Sequence, residues 1–92
     1  MIKSFRHKGL EQFFTTGNKS GIQSNHAERL NDILFRLQFS VQPQDLNFPG
    51  SGLHPLKGKL KGFWAIKVSG NWRVVFKFNE GHALEVDYVD YH

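Results

Sequence analysis

The chain has 92 residues, of which 39% are hydrophobic, 14% aromatic and 22% charged; this fits one ordered domain over residues 1–92, since domains typically hold about 100 to 150 residues, and excludes disorder as the main state. The absence of cysteine excludes a disulfide scaffold, thiolate catalysis and thiolate zinc sites. The net charge is only +4, but it is uneven: +2 over residues 1–45, +6 with no acid over 46–79, and −4 over 80–92.

In chain order, Ile2 to Phe5 reads as a short strand. Lys8 to Thr16 reads as a helix, with Leu10, Phe13 and Phe14 at i, i+3 and i+4 and Gly17 as its stop. A longer helix follows, with Asn25 as its expected cap, Glu28 three residues on, and an apolar stripe of Ala27, Leu30, Ile33, Leu34 and Leu37. Gln42 to Leu53, with Pro43, Pro49, Gly50 and Gly52, is a loop by composition. The period then changes to two: Phe63 to Val68, Trp72 to Phe78 and Ala83 to Tyr88 read as an antiparallel meander joined by Ser-Gly-Asn and Asn-Glu-Gly-His turns. Trp72, Val74, Phe76 and Phe78 share one face of the middle strand, which turns Arg73, Val75 and Lys77 to the other. Helices first and strands last argue for an α+β domain, two N-terminal helices packed on one side of a twisted, mainly antiparallel sheet. The sheet's other side is left for a ligand.

The longest apolar run is four residues, Phe63 to Ile66, against the roughly 20 a membrane helix needs, and the opening MIKSFRHKG lacks a signal-peptide apolar region. A cytoplasmic protein with no membrane partner is expected. The +6 segment suits a polyanion, because each phosphate neutralised releases counterions; the bland alternative is a solvated lysine face. Phosphate-loop patterns fail, since Gly50-Ser51-Gly52 runs into Leu53-His54-Pro55 and Gly17-Asn18-Lys19-Ser20 lacks the Walker spacing. The histidines at 7, 26, 54, 82 and 92 show no metal-ligand spacing, so neither a metal nor a cofactor is expected.

His54, Lys57, Arg73, Asp90, Tyr91 and His92 survive as a set able to cleave RNA without a metal. Cleavage by the 2′-hydroxyl needs a base, a cation to hold charge on the phosphorane, and an acid for the leaving 5′ oxygen. Histidine suits either proton transfer, its ordinary pKa being about 6.5; Lys57 and Arg73 supply cations, and Tyr91 can stack on a base or donate a proton. Taken singly, His54 is an ordinary loop histidine, His92 a fraying end and Trp64 and Trp72 core anchors.

Leu53-His54-Pro55-Leu56-Lys57-Gly58, Gly62-Phe63-Trp64-Ala65-Ile66, Asn71-Trp72-Arg73-Val74-Val75-Phe76 and Asp90-Tyr91-His92 closely resemble the HigB toxins of bacterial type II toxin-antitoxin systems, within the wider RelE-like superfamily. Met1 to Phe5, Lys8-Gly9-Leu10 and Arg29-Leu30-Asn31 extend the resemblance. It implies a RelE-like fold and a ribosome-dependent endoribonuclease that cuts messenger RNA in the A site of the small subunit, leaving a 2′,3′-cyclic phosphate and a 5′-hydroxyl. By the same resemblance His92 is the leading catalytic acid or base, with His54 sharing the proton transfers. Lys57 and Arg73 contact the phosphate, Tyr91 orients the base or phosphate, and Asp90 tunes His92 or Lys57. Lys59, Lys61, Lys67 and Lys77 are the expected RNA contacts, to 16S ribosomal RNA and messenger. The implied protein partner is a HigA-like helix-turn-helix antitoxin, with operator DNA bound only through that complex. The competing expectation is a non-catalytic basic module that binds ribosome or RNA.

Overall fold

The computed structural model describes residues 1–91; the expectation for His92 lies outside them. Two α-helices, α1 (Lys8–Thr16) and α2 (Ala27–Gln38), are joined to a four-stranded antiparallel sheet in the order β1 (His54–Pro55), β2 (Trp64–Ser69), β3 (Trp72–Asn79), β4 (His82–Asp90). The architecture is α+β.

Helix α1 starts where the His7 ring accepts a hydrogen bond from the Leu10 amide at 3.0 Å, and ends at Gly17, whose φ of 81° closes the last turn on the Phe13 carbonyl. The expected Asn25 cap is not made. Ser24–His26 forms a 3₁₀ turn that leads straight into α2, so the first amides of α2 are reached through continuous backbone and no side chain caps them. The apolar stripe of α2 is buried as its spacing predicts: Leu30, Ile33, Leu34 and Leu37 are all fully or nearly fully buried. They share one core with Leu10, Phe13, Ile66, Val68, Val74, Phe76, Ala83, Val86 and Tyr88, each such side chain contributing about 1.5–3 kcal/mol of burial.

The Ile2 to Phe5 segment is not a continuous strand. It runs parallel to β4 through two separate bridges, Ile2 with Ala83 and Phe5 with Val86, because the pairing is interrupted at a bulge in β4. There Glu85 has φ +52° and the register between β3 and β4 slips. The β3–β4 turn has positive φ at both Glu80 and Gly81, the geometry that matches the twist of a two-residue hairpin. The long loop carries its own 3₁₀ turn, Pro43–Leu46, held by the Asp45 carboxylate, which accepts from the Val41 and Gln42 amides at 2.9 and 3.3 Å.

Candidate active site

Antiparallel pairing puts directly opposed residues on one face. Two rows cross the sheet: His54, Ala65, Val75 and Asp87, then Lys67, Arg73 and Val89. Trp72, Val74 and Phe76 of β3 face the helices, so these rows lie on the face away from them. Ala65 and Val75 are buried but stand outside the main core; they lie in the row between His54 and Arg73, whose α-carbons are about 12 Å apart by strand spacing and rise. Tyr91 follows at the Arg73 end, its amide bonded to the Asn71 carbonyl at 2.8 Å.

His54 is held by its approach. The Arg29 guanidinium on α2 donates to the carbonyls of Gly50 (2.9 Å) and Lys67 (2.8 Å), tying the incoming loop to β2. Phe48 in that loop lies under both Arg29 and Arg36, with the Arg36 guanidinium 4.1 Å from the ring centre. The Lys67 amide then donates to the Ser51 carbonyl at 2.8 Å. The exposed His54 ring has Nδ1 3.0 Å from the Gly52 carbonyl. A carbonyl only accepts, so Nδ1 donates to it, which leaves Nε2 as the ring nitrogen available for proton transfer.

Arg73 folds back on the β2–β3 turn, Nη1 donating to the carbonyls of Gly70 (2.7 Å) and Trp72 (2.9 Å). Among the described residues no bond is made by its other nitrogens, whose donors suit an anion. Lys57 is exposed at the far end of β1, just before the 3₁₀ turn Gly58–Leu60 on which Lys59 lies and which Lys61 follows. Lys67 is exposed on β2 directly opposite Arg73. Lys77 stands apart from the other expected RNA contacts: its ammonium is 2.8 Å from Glu85 and 5.3 Å from the centre of the Phe63 ring, so its charge is already engaged. Asp90 pairs with Trp72 in register and thus belongs to the helix-side face, not to the face of His54 and Arg73.

The structure therefore brings His54, Arg73, Lys67 and Tyr91 onto one face, leaves Lys57, Lys59 and Lys61 at its β1 end, and puts Asp90 behind it. Sequence reasoning missed Asp87, diagonal to Arg73 across the β3–β4 pair. It also missed the anchoring work of Arg29, whose partners lie 21 and 38 residues away. The alternation that exposes Arg73 reaches Asp87 once the register is known; nothing local marks Arg29.

Residues 3–92 match the family model described as RelE-like toxin of type II toxin-antitoxin system HigB. The chain is 44% identical over 92 residues to Endoribonuclease HigB of Proteus vulgaris, covering all of both chains. It is 32% identical over 97 residues to Toxin HigB-1 of Vibrio cholerae serotype O1 (strain ATCC 39315 / El Tor Inaba N16961), covering all of this chain and 98% of that protein.

Proposed function

The chain belongs to the HigB family of RelE-like toxins of type II toxin-antitoxin systems, and on that premise we propose that it is a ribosome-dependent endoribonuclease that cleaves messenger RNA in the A site and so halts translation. The observation that carries the reading is the exposed His54 ring, bonded through Nδ1 to the Gly52 carbonyl, on the same sheet face as Arg73 and Lys67.

In this mechanism His54 Nε2 takes the proton of the ribose 2′-hydroxyl. The 2′ oxygen attacks the adjacent phosphorus, the bond from phosphorus to the 5′ oxygen breaks, and a 2′,3′-cyclic phosphate is left. Arg73, with Lys57, meets the negative charge that builds on the phosphorane oxygens. The leaving 5′ oxygen receives a proton from His92, the counterpart acid, and departs as a 5′-hydroxyl. Tyr91 orients the scissile nucleotide. No metal or cofactor is needed for these transfers. Lys59, Lys61 and Lys67 hold 16S ribosomal RNA or messenger phosphates.

A type II toxin has an antitoxin partner; we infer a HigA-like helix-turn-helix protein, with operator DNA reached only through that complex. Among the described residues no helix is long and apolar enough to cross a membrane, and the cytoplasm, where ribosomes lie, is the proposed place of action.

Primer extension on a messenger in programmed ribosomes, with EDTA and with a ribosome-free control, tests the reading. Cleavage at the A-site codon only with ribosomes is expected. His54→Ala should reduce it about 10²–10⁴-fold, the range of general acid–base catalysis, and His92→Gln should abolish it with the fold intact. Ribosome binding without cleavage would overturn the enzymatic reading in favour of a non-catalytic basic module.

A further inference from the structure

Beyond Val86, β4 loses one of its two neighbours. The Ile2 to Phe5 segment and its extension reach no further than the Val86 carbonyl, which accepts from the Arg6 and His7 amides at 2.9 and 3.5 Å. From Asp87 onward, among the described residues, β3 alone pairs with the strand. A strand end with backbone partners on one side is where local opening starts, yet this end carries Asp90 and Tyr91.

The side chain of Tyr88 binds that end to the body of the protein. It is 4% exposed, and its ring stacks on Trp72 with centres 4.5 Å apart and planes 28° from parallel. Its hydroxyl lies 2.6 Å from Nδ1 of His26, itself only 6% exposed, at the entry to α2. The His26 ring stands edge-on to both Trp72 and Tyr88. His7, the cap of α1, sets its ring edge-on to Tyr88 from another side. Burial, with the charge of Asp90 adding and a backbone hydrogen bond from Gln23 opposing, raises the pKa of the hydroxyl above its ordinary 10.0. The hydroxyl thus keeps its proton and can share it with His26 Nδ1. A phenylalanine would fill the same space and make the same stack; what tyrosine adds is a directional bond.

We propose that Tyr88 and His26 are positioning residues for the cleavage reaction: their buried hydrogen bond tethers the end of β4 to the start of α2 and so holds the strand end that carries Tyr91 at the margin of the His54–Arg73 face. The inference rests on the endoribonuclease reading above. Neither residue touches substrate, and neither belongs to the set that the sequence singled out.

The test uses Tyr88→Phe, which keeps the ring, with His26→Leu as a second variant, on the full chain. In ribosome-programmed cleavage, kcat should fall about tenfold or more with KM unchanged, as loss of alignment predicts. Backbone amide exchange supplies a readout independent of activity: protection of the Tyr91 amide, bonded to Asn71, should fall selectively relative to the amides of β2 and β3. A kcat within twofold of the parent, or protection lost uniformly across the sheet, would overturn the proposal, because both describe a residue that only stabilises the core. If the parent chain itself does not cleave, the endoribonuclease reading fails. The exchange pattern then decides alone, selective loss at Tyr91 supporting the tether and no loss sinking it.

Discussion

Glu85 holds a backbone conformation, φ +52°, that side-chain-bearing residues seldom adopt. Three contacts keep it there: the Ser4 hydroxyl meets its amide at 2.9 Å, and its carboxylate reaches Lys77 at 2.8 Å and Arg6 at 3.8 Å. The hydrogen bond from Lys77 holds the carboxyl below its ordinary 4.5, with desolvation opposing and the charges of Lys77 and Arg6 adding. Asp45 is displaced the same way from 3.8, chiefly by the Val41 amide. Each folded carboxyl binds its proton less tightly than the unfolded one does. Their stabilisation is therefore present above the ordinary values and is lost as pH falls through the lowered ones. The melting temperature should decline on acidification through that window, gently, because both groups are exposed. Glu85→Gln should flatten the decline, which circular dichroism melts across the window can check.

At the scale of elements, the close approach of α1 to the segment before α2 is made by two glycines. A β-carbon on Gly9 would stand 2.5 Å from the Gly21 carbonyl oxygen, and one on Gly21 would stand 2.5 Å from the Gly9 α-carbon. Backbone on both sides cannot yield as a flexible side chain would. Gly9→Ala, in a helix where alanine ordinarily gains about 1 kcal/mol over glycine, should instead destabilise by about 1–3 kcal/mol, the usual cost of overpacking. Urea unfolding gives the sign directly. The C-terminal end of α2 makes a second contrast. Leu37 is fully buried and Phe39 is 73% exposed, so Leu37→Ala should cost about 2–5 kcal/mol and Phe39→Ser less than about 0.5 kcal/mol.

Over the whole molecule, the separation of charge along the chain does not survive folding. The basic segment 46–79 ends in β3, and the acidic segment 80–92 folds back beside it as β4. Lys77 is thereby paired with Glu85, and Asp87 is brought diagonal to Arg73. The proposed RNA face is less positive than a count along the chain implies, and its exposed lysines gather toward β1 and β2. Lys67→Ala should then lower the slope of log affinity for ribosomes against log salt by about 0.7–0.9, one phosphate contact. Lys77→Ala should change it less, since that ammonium already has a carboxylate. Equal slopes for the two variants would show that the Glu85 pair opens on binding.

What the sequence by itself determined is whatever depends on neighbours in the chain. Hydrophobic period placed α1 and three of the strands to within two residues and the buried stripe of α2, and the turn residues Glu80 and Gly81 joined β3 to β4 as composition implies. The same alternation put Arg73 and Lys77 on the face away from Trp72 and Val74. The family was also legible, because its motifs around His54, Arg73 and Tyr91 are short and contiguous. Only the tertiary structure decided what depends on register and on distant partners. His54 became part of a short strand because the loop before it is held by Arg29 and Phe48; Asp90 went to the helix-side face because β4 pairs Asp90 with Trp72; and Tyr88 met His26 from 62 residues away. Local periodicity reports which face of its own element a side chain occupies, but a hydrogen bond across the core depends on how elements pack, and no stretch of neighbouring residues encodes that alone.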